Sequence, residues 1–82
     1  MKTLNDVVKE IVVEQLGVFP EQVTPESNIV NDLGADSLDS VELMMAFESE
    51  FNLSIDNDQF DDVKTVGDIV RILKELGVPE TF

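Results

Sequence analysis

The chain has 82 residues, 43% of them hydrophobic, which predicts a single domain spanning residues 1–82 with a small core. It contains no Cys and no His, which excludes disulfides, thiolate metal sites and a serine–histidine catalytic relay. Its net charge is −13, and 14 of the 18 acidic residues lie between Lys9 and Lys64, an interval without Lys or Arg, so we expect basic partner surfaces and no nucleic acid. No apolar run approaches the roughly 20 residues of a membrane span, so we expect no membrane insertion.

The first predicted helix covers residues 3–16. Thr3 and Asp6 have the spacing of a capping box at its start, and Gly17 suits the position after its last turn. Its apolar residues recur at helical spacing, as expected for one buried face: Leu4, Val7, Val8, Ile11, Val12 and Leu16.

Residues 17–35 form a long connection, because Pro20, Pro25 and Gly34 interrupt any regular element. A single turn is predicted near Pro20 to Val23. The connection is too apolar for a free linker, so we expect an ordered loop that is pinned across the helix ends by Val18, Phe19, Val23, Ile29, Val30 and Leu33.

The second helix is predicted to begin after Asp36 and to reach Phe51. Asp36 is a favourable N-cap, and Asp39 places a second acid in the first turn. Ser37 therefore occupies the first helical position. There, backbone N–H groups lack intrahelical partners and the helix dipole is positive, which favours a phosphate ester on Ser37. The simpler interpretation is that Ser37 only contributes to the helix start.

Two shorter elements follow. Asp56 to Asp58 favour a short helix over about 57–62, anchored by Phe60, and Thr65 begins a last helix that ends near Gly77. The tail at 80–82 is expected to be frayed. The fold class is therefore all-α: a small four-helix bundle of three main helices and one short helix, with a long first loop.

The second helix carries two apolar stripes, although a helix in a small bundle needs only one. Leu43, Met44, Phe47 and Phe51 form a core stripe. Leu38, Val41 and Met45 lie on the opposite side, flanked by Glu42 and Glu48. This second stripe either packs under a loop or forms a recognition face with an apolar centre and an acidic rim.

The segment GADSLDSVELMMAFESEF resembles the central motif and second helix of the acyl carrier proteins of type II fatty acid synthesis. The resemblance covers nearly the whole chain, including VVKEIVVEQLGV, PEQVTPESNIVNDLGADS and KTVGDIVRIL. It implies that Ser37, within the Asp36-Ser37-Leu38 motif, carries a 4′-phosphopantetheine arm from coenzyme A. Growing fatty acyl chains are then held as thioesters on that arm.

The resemblance also implies a carrier without catalysis of its own, acting as a monomer. Its expected partners are a phosphopantetheinyl transferase (holo-ACP synthase), ketoacyl synthases and acyltransferases. Recognition is expected through Asp39, Val41, Glu42, Met45 and Glu48. The acyl chain is expected to fold back between the second and third helices, where the candidate lining residues are Leu43, Met44, Phe47, Phe60 and Ile69.

Two alternatives remain open at this stage: a carrier domain for polyketide or aminoacyl cargo, and an unmodified acidic helical module that binds proteins. An enzyme is less favoured, because no base accompanies Ser37. No metal site is predicted, since Asn31, Asn52 and Ser54 stand where many relatives have acids. The expected location is the bacterial cytoplasm, with the mature form of a plastid or mitochondrial protein as the alternative.

Overall fold

The computed structural model describes residues 2–82, and Met1 lies outside the described residues. Four helices are present: α1 (Leu4–Leu16), α2 (Ser37–Phe51), α3 (Asn57–Asp61) and α4 (Val66–Glu75). A single 3-10 turn covers Pro20–Gln22 in the long first loop. Over residues 2–82 there is no strand, so the all-α prediction is confirmed.

The helix starts are set by local hydrogen bonds that the sequence predicts. Thr3 caps α1, Asp36 caps α2 and Thr65 caps α4, each as a reciprocal capping box with the acid three residues later. The backbone N–H groups of Lys64 and Thr65 both donate to Asp68, at 3.0 and 3.1 Å, which holds the pKa of that carboxyl below its usual value. The Asp68 carboxylate therefore stays charged, and keeps accepting these bonds, at a lower pH than an ordinary Asp would.

The helices enclose one core. α1 packs against both α2 and α4, and α3 packs against α4. The largest fully buried side chains come from α1, α2 and α4: Phe47, Leu4, Leu43, Ile69, Leu73, Val8 and Val12. Nowhere in residues 2–82 does a helix have the length and apolar character needed to cross a bilayer.

The first loop is ordered but is pinned by fewer residues than the sequence suggests. Val23, Ile29 and Leu33 are buried in the common core. Phe19 and Val30 are exposed, so the prediction that they pin the loop is wrong. Outside regular helix no periodicity separates inward from outward positions, so the sequence did not distinguish these exposed residues from the buried ones.

The C-terminal tail is also ordered, so the prediction that it frays is wrong. Thr81 forms an antiparallel bridge with Thr3, and the Phe82 N–H donates to the Lys2 carbonyl at 3.0 Å. The Phe82 ring stacks on Phe51, with ring centroids 5.9 Å apart. The tail thereby ties the start of α1 to the end of α2, a contact between residues far apart in sequence.

Candidate functional site

Ser37 lies at the first position of α2 and is exposed to solvent. The capping is done by its neighbours: Asp36 Oδ1 accepts from the Asp39 N–H at 2.8 Å, and Asp39 Oδ2 accepts from the Asp36 N–H at 3.2 Å. The Ser40 hydroxyl donates to the Asp36 carbonyl at 3.1 Å. The Ser37 hydroxyl is therefore not needed to begin the helix, which weakens the interpretation of Ser37 as a cap alone.

A compact turn positions the residues directly before Ser37. Asn28 Oδ1 accepts from the N–H groups of Val30 and Asn31, and Asp32 Oδ2 accepts from the Asn28 N–H at 2.7 Å. The Ala35 N–H then donates to the Ile29 carbonyl at 2.8 Å. Because Ala35 is buried and bonded, the chain enters α2 in a fixed direction.

The second apolar stripe of α2 is exposed over its whole length. Leu38 is 66% exposed, Val41 49% and Met45 57%, so no loop covers the stripe. Glu42 beside it is exposed. Glu48 is only half-buried at the surface, and its Oε2 accepts from the Ile55 N–H at 2.8 Å. The structure thus gives Glu48 a contact within the fold, which the helical spacing did not indicate.

An open groove runs from Ser37 between α2 and α3. It holds about 470 Å³ of water-accessible space and is lined by Ser37, Ser40, Val41, Met44, Asn57, Phe60 and Asp61. Of these, Ser40, Asn57 and Asp61 were not predicted as site residues. Asn57 and Asp61 could not be found from periodicity, because their proximity to Ser37 depends on how the short α3 lies beside α2. Ser40 lies one turn after Ser37 on α2, so helical spacing could have found it. A larger groove of about 600 Å³ lies at the other end of α2, beside Phe51 and Phe82, and does not include Ser37.

Behind this groove lies an apolar space that is too narrow for a water molecule. Only apolar side chains line it: Phe47, Ile55, Phe60, Val63, Ile69, Ile72 and Leu73. Phe60 lines both the groove at Ser37 and this interior space. Of the predicted lining residues, Phe47, Phe60 and Ile69 line the interior and Met44 lines the groove. Leu43 is fully buried and lines neither space.

The charged side chains of the segment around Ser37 are all acidic. Residues 36–62 contain no Lys or Arg, and the ion pairs of the described chain lie elsewhere, between Lys2 and Glu10 and around Arg71 and Lys74. Across residues 2–82, no group of three or more Asp or Glu side chains is placed to hold a metal ion. The arrangement can therefore attract a basic protein surface, and it presents a nucleophilic hydroxyl without a base to activate it.

A family model described as phosphopantetheine attachment site matches residues 6–73, which is most of the chain. The chain belongs to this family, whose members are carrier proteins rather than enzymes. Phosphopantetheine is thus its cofactor, and it acts with a modifying transferase and with biosynthetic enzymes.

Comparison with solved structures points to the same class. The fold is similar to that of a Mycobacterium tuberculosis protein assigned as an acyl carrier protein, with a TM-score of 0.82 and 26% sequence identity. The match covers 88% of this chain and 96% of that one. The resemblance to acyl carrier proteins and the predicted fold are both confirmed.

Proposed function

We propose that the chain is an acyl carrier protein of type II fatty acid synthesis and that Ser37 bears its phosphopantetheine arm. The observation that carries the proposal is the position of Ser37, exposed at the start of α2 and lining a groove that shares Phe60 with a wholly apolar interior. The N-terminus of a 15-residue helix favours the charge of a phosphodiester. When bound, the arm supplies a terminal thiol that holds the cargo as a thioester.

The chemistry of the interior favours a fatty acyl cargo. All seven residues that line it are apolar, so a polar aminoacyl or peptidyl group would lose its hydrogen bonds with water and gain none there. An alkyl chain incurs no such penalty and is stabilised by about 0.8 kcal/mol for each buried CH₂ group. Because the empty interior is too narrow for water, an entering chain must displace side chains, and Phe60 borders the path from the groove.

The exposed stripe on α2 supports docking to the enzymes of fatty acid synthesis. Leu38, Val41 and Met45 form an apolar patch next to Ser37, and Met45 has a side chain that adapts to several partner shapes. Glu42 and Asp39 add negative charge beside the patch. One carboxylate oxygen of Asp39 accepts from the Asp36 N–H, and its other oxygen is left to face a partner. We assign this surface to the transferase, the ketoacyl synthases and the acyltransferases.

The attachment site is tested by intact mass measurement. After incubation with coenzyme A, Mg²⁺ and a carrier-protein transferase, the chain should gain one phosphopantetheine. Ser37→Ala should gain none and retain its helical circular dichroism. Ser40→Ala is the matched control, since Ser40 lines the same groove one turn further along α2 and should leave modification intact. Modification that persists in Ser37→Ala and disappears in Ser40→Ala would move the site to Ser40.

The cargo is tested by loading the modified protein with short, medium and long saturated acyl chains and with an amino acid. Alkyl chains should raise the melting temperature and shift the methyl resonances of Ile69 and Ile72, increasingly with length until the interior is full. The aminoacyl form should match the unloaded protein. Equal effects from all cargoes, or a greater effect from the polar one, would reject the fatty acyl assignment in favour of another carrier class.

A further inference from the structure

The start of α4 is completed by the first loop. Backbone N–H groups in the first turn of a helix lack intrahelical acceptors. In α4 two of them find acceptors in the loop: the Val66 N–H donates to the Ser27 carbonyl at 3.0 Å, and the Gly67 N–H donates to the Pro25 carbonyl at 2.9 Å. The loop that precedes Ser37 is therefore anchored on α4 by residues that lie 39 and 42 positions later in the sequence (Ser27 to Val66 and Pro25 to Gly67).

Gly67 allows this close approach. A Cβ atom added there would lie 3.0 Å from the carbonyl oxygen of Pro25. That oxygen belongs to the backbone, so it cannot turn aside as the end of a flexible side chain could. The segment that contains Pro25 is also fixed by Ser27. The buried Ser27 hydroxyl donates to the Gln22 carbonyl at 2.8 Å and accepts from the Thr24 N–H at 2.9 Å. Any side chain at residue 67 must therefore push the loop.

Ile29 connects this anchored part of the loop to the residues that precede Ser37. Its N–H donates to the Lys64 carbonyl at 3.0 Å, just before the α4 cap. Its carbonyl accepts from the N–H of Ala35 at 2.8 Å, two residues before Ser37. Because one peptide segment joins both contacts, a displacement of the loop at α4 reaches the entry to α2.

We infer that Gly67 is a positioning residue for Ser37: through Pro25 and Ile29 it sets the location at which the Ser37 hydroxyl is presented to the modifying transferase. This inference rests on the proposed attachment at Ser37. It assigns a role in modification to a residue outside the Ser37 groove and outside the exposed stripe of α2.

The test compares Gly67→Ala with Gly77→Ala. Alanine is normally the better helix former, so Gly67→Ala would favour α4 if no neighbour interfered. Gly77, just beyond the other end of α4, has a φ of +97° and no atom within 4 Å of an added Cβ. Gly77→Ala therefore strains the backbone without touching the loop, and controls for a general loss of stability.

Two readouts are made on folded protein. In Gly67→Ala the amide resonances of Ala35, Asp36 and Ser37 should shift, and kcat/KM for phosphopantetheine transfer should fall roughly tenfold, as expected when a reacting group is misplaced by less than 1 Å. In Gly77→Ala both should match the parent protein. The inference is overturned if Gly67→Ala keeps the parent amide resonances at 35–37, or if its kcat/KM equals that of Gly77→Ala.

Ser27→Ala is a second variant that needs no added bulk. It removes the hydroxyl that holds the anchored segment, so it should shift the same amides and lower kcat/KM in the same direction. It replaces Gly67→Ala if that variant does not fold, and parent behaviour in Ser27→Ala then overturns the inference. A parent protein that the transferase does not modify would instead reject the proposed function, and the amide resonances alone would then decide the inference.

Discussion

The two apolar faces of α2 have similar composition but opposite burial. Leu43 and Phe47 on one face are fully buried, whereas Leu38 and Met45 on the other are 66% and 57% exposed. Both faces belong to one continuous helix, so helix formation does not distinguish them. Only the first contributes to packing, and the second keeps apolar area in water beside Ser37. This uncovered patch is the surface that we propose for docking of partner enzymes.

The largest expected effect is on the buried face. Phe47→Ala should destabilise the protein by about 3–5 kcal/mol, because it removes a fully buried ring from the centre of the core. Denaturant unfolding measures this loss. A loss below about 1 kcal/mol would show that the core collapses around the gap, and would remove the contrast between the faces.

Glu48 lies between the two faces and should behave as a structural residue. Glu48→Ala leaves the half-buried Ile55 N–H without its acceptor, which should destabilise the protein by about 1–3 kcal/mol. Glu48→Gln retains an acceptor oxygen and should recover most of this stability, whereas the exposed Glu42→Ala should cost little. If Glu48→Ala unfolds like Glu42→Ala, Glu48 belongs with the recognition surface alone.

Salt should stabilise the protein by screening the repulsion between its acidic side chains. The acids of α2 and α3 repel one another, since residues 36–62 supply no cation. Raising the ionic strength to about 0.15 M shortens the Debye length to about 8 Å. If screening recovers about 1 kcal/mol, the melting temperature should rise by about 4–8 °C, and millimolar Mg²⁺ should act in the same direction. A flat or falling melting temperature would contradict this account.

Met45→Ala should separate binding from folding. Because Met45 is largely exposed, its truncation should change the free energy of unfolding by about 0.5 kcal/mol or less. If Met45 docks in the complex, the dissociation rate from the transferase or a ketoacyl synthase should rise. A stability loss of about 2–5 kcal/mol with unchanged binding kinetics would place Met45 in the core and the recognition face elsewhere.

Glu42→Lys should leave folding almost unchanged, within about 0.5 kcal/mol, because Glu42 is exposed. It reverses a charge at the edge of the patch, so association with the same enzymes should slow and depend less on salt. Stopped-flow association rates at several salt concentrations measure both changes. An unaltered association rate would indicate that partners do not approach over Glu42.

The sequence predicts the helices well because their signals are local. Each capping box needs only two residues three positions apart, as in Asp36 with Asp39, and each buried face follows from a 3.6-residue period. The two stripes of α2 follow from the same period. The second of these stripes is the patch of Leu38, Val41 and Met45 beside Ser37, which the structure leaves exposed.

The contacts that the sequence could not give join residues distant in the chain. Nothing in the tail indicates that Phe82 stacks on Phe51, and nothing in the first loop separates exposed Phe19 from buried Val23. The lining of the interior shows the same limit. Ile69 is predicted as a lining residue from the period of α4, whereas Ile55, in a connection without periodicity, is not. Such contacts depend on how elements pack, which a local pattern does not encode.

The ordered tail has a practical consequence for engineering. The backbones of Lys2 and Phe82 are joined by a hydrogen bond, so a short linker could close the chain into a ring. Ring closure would reduce the conformational entropy of the unfolded chain. The seam would lie at the far end of α2 from Ser37, about 20 Å away for a helix rising 1.5 Å per residue. A cyclised chain should therefore resist heat while leaving the surface around Ser37 accessible.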